Sequence, residues 1–103
     1  MEVKKVGNDN FKEEVLNAKT KVLIDFNADW CGPCRMLRPT IDKVASERDD
    51  VKIVSINIDD EEELARSYGV MSIPCLVLIE NGKELRRNVG LIPEEDVIKF
   101  IEG

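Results

Sequence analysis

Trp30-Cys31-Gly32-Pro33-Cys34 places two thiols three residues apart, and that spacing admits reversible redox chemistry. On the first turn of a helix such side chains share one face. One turn also keeps their Cα atoms within the roughly 7 Å that a disulfide allows, so the pair can open and close without moving the fold. Cys31 falls at the expected helix start, where unpaired N–H groups and the positive end of the macrodipole favour a thiolate. Cys34 lies one turn further in. Cys31 is therefore the expected attacking thiol and Cys34 the resolving one. Gly32 offers a residue without a Cβ beside the sulfurs, and Pro33 suits a first turn because its missing N–H would have no helical partner.

The same spacing is also half of a zinc or iron–sulfur site. A structural zinc site wants four ligands, whereas the chain has three Cys and no His, so neither a metal nor another cofactor is expected. The lack of His also removes Cys-His nucleophiles and His general bases. Thiol, carboxylate and amine remain.

The elements that position these groups follow from pattern. Lys21 to Asn27 is β-rich and nearly all apolar, the mark of a strand covered on both faces, and it aims its C-terminal end at the cysteines. The helix after Cys31 continues through Met36, Leu37, Ile41, Val44 and Ala45, interrupted by Pro39. Val51 to Ile58 alternates like a strand and, after a helix-length crossover, is expected to run parallel to the first.

Upstream, Val3 to Val6 reads as a short edge strand. Asn10 with Glu13 has capping-box spacing for a helix ending near Asn17. Downstream, the acids Asp59 to Glu63 suit a helix start rather than a calcium loop, and that helix stops at Gly69. Cys75 to Glu80 and Lys83 to Val89 form a hairpin about Asn81-Gly82, and Pro93 opens a last helix with Val97, Ile98 and Ile101 as its apolar stripe. The expectation is one α/β domain, residues 1-103, with a central mixed β-sheet flanked by helices on both faces.

Asp25 stands out within Val22-Leu23-Ile24-Asp25-Phe26. A carboxylate in a strand covered on both faces is costly and its pKa rises, which suits proton transfer near neutrality beside the thiols.

The Trp-Cys-Gly-Pro-Cys motif after an apolar strand closely resembles the active site of the thioredoxin family, and the resemblance covers essentially the whole chain. It implies the thioredoxin fold and a protein-disulfide reductase working by dithiol–disulfide exchange. By resemblance, Asp25 matches the buried family aspartate that assists deprotonation of the resolving thiol, here Cys34. The family's buried lysine in the next strand is replaced by Ser55, so Asp25 is expected to lack its cation and to protonate more easily. Ile73-Pro74 resembles the cis-proline loop that packs against the disulfide, with Pro74, Gly32 and Pro33 supporting the site. The main chain of Ile73 would pair with an extended substrate segment, and Trp30 would serve as a contact surface. Gly90 matches a glycine flanking the substrate groove, or is simply a strand-end glycine with positive φ. Asn27, Arg35 and Cys75 depart from the usual pattern; Arg35 keeps a positive charge near the thiols, and Cys75 reads as a small buried residue.

A formal net charge of −6 disfavours nonspecific nucleic-acid binding and anionic membrane surfaces. Glu2 to Asn10 is mostly polar and no apolar run approaches a membrane span, so a cytoplasmic location is expected; a monomer is expected as well. In that reducing setting a close thiol pair reads as catalytic. No nucleotide or flavin motif is present, so the partners implied are disulfide-containing target proteins and a separate reductase, by resemblance a flavoprotein thioredoxin reductase. The rival readings are a disulfide oxidase or isomerase, a metal-binding module, and a structural subunit whose redox activity is incidental.

Overall fold

A computed structural model describes the whole chain, Met1–Gly103. Five strands, β1 (Lys4–Lys5), β2 (Lys21–Asn27), β3 (Val51–Asn57), β4 (Cys75–Glu80) and β5 (Lys83–Val89), form one sheet in the order β1-β3-β2-β4-β5. β3 runs parallel to both β1 and β2, whereas β4 is antiparallel to β2 and β5 to β4. The sheet is therefore mixed, as the crossover and hairpin halves of the sequence require.

Strand alternation distributes the side chains of β2 between two cores. Val22, Ile24 and Phe26 join Val6, Phe11, Val15, Leu64 and Cys75 on one face. Leu23 joins Leu37, Ile41, Val44, Val97 and Ile101 on the other. Helix α1 (Gly32–Glu47) and helix α3 (Glu94–Glu102) thus cover one face, and α2 (Glu62–Ser67) with a short helical segment, Lys12–Leu16, covers the opposite one. Asp25 and Asn27 share the parity of Leu23, which turns them toward α1. Pro39 lies inside α1.

Two expectations change at the N-terminal end. The edge strand shrinks to Lys4–Lys5, held by its parallel pairing to Val54 and Ser55. The capping box does not form: Asn10 Oδ1 accepts from Gly7 N at 2.9 Å instead of capping the following turn, and no side chain caps that segment. There the Asn17 N–H reaches back five residues to Lys12 O, giving a wide turn rather than a regular helix.

The hairpin stands as read, with Asn81 and Gly82 both at positive φ, 52° and 79°. A Cβ at Gly82 would come within 3.4 Å of the Leu16 carbonyl oxygen as well as forcing a left-handed backbone. Gly82→Ala is therefore expected to destabilise the protein by about 1–2 kcal/mol. A urea titration reads this as a lower midpoint at unchanged slope; an unchanged midpoint contradicts it.

Candidate active site

Cys31 ends the loop after β2 and is the residue that caps α1. Its backbone is extended (φ −84°, ψ 109°), its Sγ accepts from the Cys34 N–H at 3.2 Å, and Pro33 occupies the first turn. The two cysteines are joined as a disulfide with their Cα atoms 5.2 Å apart. Burial does not rank them, since Cys31 is 4% and Cys34 6% exposed. What separates them is the helix: Cys31 stands outside it facing its N–H groups, and Cys34 lies within the first turn. An added Cβ on Gly32 would meet nothing within 4 Å. The missing side chain consequently relieves no crowding inside this chain.

The residues expected around the disulfide do gather there. Ile73 and Ile58 pack on the cluster of Ala28, Cys31 and Cys34, and Cys31 Sγ lies 3.9 Å from the Ile73 carbonyl oxygen. The Ile73–Pro74 peptide bond is cis. Pro74 O accepts from Gly90 N at 2.8 Å, tying the end of β5 to this loop, and Gly90 has φ +107°, where a side chain is strained. Trp30 is 66% exposed beside the disulfide, its Nε1–H donating to Asp59 Oδ2 at 2.8 Å.

Asp25 is 6% exposed, and its Oδ1 is buried with no hydrogen-bond partner in the protein. Burial pushes its pKa up to about 6, against the pull of the Arg38 guanidinium and the nearby Asn27 amide; the Asp42 carboxylate adds a smaller upward push. Asp25 lines a cavity of about 270 Å³ with Lys5, Asn27, Arg38, Asp42 and Ser55 among its walls. Cys34 opens on a neighbouring cleft. No group of three or more His, Cys, Asp or Glu side chains is placed to hold a metal ion.

The family model for thioredoxin matches residues 2–103. The chain belongs to the thioredoxin family. It is 39% identical over 103 residues to a thioredoxin of Griffithsia pacifica, covering 99% of this chain and 94% of that one. With a thioredoxin of Chlamydia trachomatis the identity is 43% over 99 residues, 96% of this chain and 95% of the other. A chloroplastic M-type thioredoxin of Chlamydomonas reinhardtii is 38% identical over 98 residues, 94% of this chain and 70% of its own length. Members of the family are thiol–disulfide oxidoreductases that work through a cysteine pair without a cofactor, and this chain is a protein-disulfide reductase of that kind, its Cys31–Cys34 pair standing at disulfide distance.

Three thioredoxin-site features escaped the sequence reading. Asn27 Nδ2 donates both to Asp25 O (2.9 Å) and across to Ser55 Oγ (2.8 Å), closing β2 to β3 where the usual lysine is missing. Its two-residue spacing from Asp25 already placed it on the same strand face. Asp59 holds the Trp30 indole, although within a run of acids it read only as a helix start. Arg38 of α1 shares the cavity of Asp25 and draws its pKa down, although burial still outweighs it; Ser55 in place of the lysine gave no hint of this cation. Its position four residues after Cys34 was the available signal.

Proposed function

We propose that the Cys31 thiolate attacks a target disulfide, and that Cys34, deprotonated with the help of Asp25, then attacks the Cys31 sulfur and frees the reduced target. The first step forms a bond between Cys31 and one target sulfur and releases the other as a thiolate. The second forms the Cys31–Cys34 bond and breaks the mixed disulfide, so two electrons pass to the target and the protein ends oxidised. The observation that carries this assignment is the capping position of Cys31, whose sulfur accepts the Cys34 N–H. A helix N-terminus stabilises a thiolate there, while an interior first-turn thiol gains less.

In this reading Gly32 and Pro33 shape the turn that carries the sulfurs, and Pro74 seats the loop against them. Ile73 offers its main chain to an extended substrate segment, with Trp30 and Gly90 flanking it. Pairing through main-chain groups asks little of substrate sequence, which suits many disulfide-containing proteins as targets. A flavoprotein thioredoxin reductase is the proposed electron source, in a cytoplasmic, reducing compartment, with the protein working as a monomeric electron carrier. No helix is long and apolar enough to cross a membrane, and a net charge of −6 gives no electrostatic reason to bind nucleic acid.

Cys34→Ser tests the order of attack. The variant is expected to accumulate a covalent mixed disulfide between Cys31 and a protein substrate, visible on non-reducing gels and released by excess dithiol. A trapped adduct mapped instead to Cys75, or none with a disulfide substrate in excess, overturns the assignment.

A further inference from the structure

Arg38 is the one cation that borders both chemical groups of the resolving step. It lines the cavity of about 270 Å³ that holds Asp25, and it also lines the cleft of about 410 Å³ onto which Cys34 opens. Asp29 is the other residue common to both, but it is committed elsewhere. Its backbone carbonyl accepts from Arg35 Nη1 at 2.7 Å, and its Oδ1 accepts from Asn57 Nδ2 at 3.3 Å. Arg35, the cation next to Cys34, is anchored by that same bond. The Arg38 guanidinium takes part in no hydrogen bond or ion pair with any protein group, and Arg38 lies on the exposed face of α1.

Helical spacing explains the placement. Cys34, Arg38 and Asp42 follow one another at intervals of four along α1, which sets them in one stripe. Parity along β2 turns Asp25 toward that helix. The charged groups facing Asp25 are Arg38 and Asp42 from α1, Lys5 from β1 and Asp29 from the loop after β2; β3 contributes only the uncharged Ser55 and Asn57. The Cys75 thiol of β4 lies in the opposite core, with its own pKa raised by burial.

We propose that Arg38 is a positioning residue for the resolving half-reaction: its uncommitted guanidinium, at the junction of the Asp25 cavity and the Cys34 cleft, favours the ionised base and the emerging thiolate. This rests on the reading of Asp25 as the base for Cys34. The proton leaves the Cys34 thiol for the Asp25 carboxylate, the Cys34 sulfur displaces the target thiolate from Cys31, and the proton then leaves Asp25 for solvent through the cavity. Arg38 takes no part in bond making. Its charge, standing on the solvent side, acts over a partly screened path, and this sets the size of the effect.

The test is a charge series at one position in the full chain, Arg38→Lys, Arg38→Ala and Arg38→Glu, read by carboxyl NMR titration of Asp25 in the oxidised protein. The expected order of midpoints is wild type close to Lys, Ala higher by about half a pH unit, and Glu higher still. The acid limb of insulin-type disulfide reduction should move with them, Arg38→Ala losing about threefold at pH values below the midpoint. Salt should draw the wild-type midpoint toward that of Arg38→Ala. Coincident midpoints across the series overturn the proposal, as does a Lys variant that behaves like Ala. Asp25→Asn separates the two ideas. If it abolishes the acid limb while the Arg38 series leaves that limb in place, Asp25 stands and Arg38 falls. If Asp25→Asn leaves the limb unchanged, the reading of Asp25 fails first.

Discussion

Cys31→Ser removes disulfide reduction, with turnover falling at least about 1,000-fold, or roughly 4 kcal/mol in barrier. The reason is the atom: a hydroxyl at the helix mouth does not ionise near neutral pH, so the N–H groups that would stabilise a thiolate have no anion to hold. Cys34 cannot stand in, since it sits within the helical turn and its partner sulfur is gone. The fold should survive, because Ser is itself a favoured capping residue and the lost crosslink closes only a short loop. Insulin-type reduction driven by a chemical dithiol, with circular dichroism to verify the fold, measures this. Retained turnover in a folded Cys31→Ser protein removes Cys31 from the mechanism and favours a structural role for the chain.

Asp25→Asn should make the protein more stable at neutral pH and slower at its chemistry. In the fold the Asp25 carboxyl titrates at about 6, against 3.8 for an unperturbed group. Between those values the folded protein binds more protons than the unfolded one, so stability falls as pH rises through that window. Below it the raised pKa costs nothing, and above it the buried carboxylate costs its full amount, about 3 kcal/mol. A neutral amide escapes that cost but leaves buried donors needing partners, which takes back about 1 kcal/mol. The expected net gain is about 2 kcal/mol at pH 8, roughly 10 °C in melting temperature, vanishing near pH 4. Urea titrations of both proteins at the two pH values decide it, and an equal gain at both shows that charge burial is not the cause. Resolution of the mixed disulfide should slow about tenfold at pH 7, less than general-base catalysis can supply, because a thiol ionises unaided near pH 8.5.

These two outcomes pull in opposite directions at one residue. Ionisation of Asp25 weakens the fold, and the same burial that costs stability raises its pKa to about 6, within the range a general base for a thiol would use. Asp25 Oδ1 has no hydrogen-bond partner in the protein, so that cost is left uncompensated.

Local chemistry settled much of this protein in advance. Apolar runs in β2 and β4, the Asn81-Gly82 turn and the Pro93 start each specify their element through contacts a few residues long, and the element order follows. The disulfide pair was legible for the same reason, being contained within one helical turn. The Asn10 capping box failed because an Asn side chain has several backbone donors within reach, and the Gly7 N–H won.

What the sequence could not supply were the encounters between elements distant along the chain. Reading Ser55 alone gave an aspartate without a cation; folding brought Arg38 from α1 to the cavity that Asp25 lines, and Asn27 to Ser55 across neighbouring strands. The open space around Gly32, where an added Cβ would meet nothing within 4 Å, is likewise a property of the packed fold. Hydrophobic periodicity names a buried face but not which polar groups will meet behind it, because the fields around a carboxyl depend on distances through space that only the packed sheet and helix define.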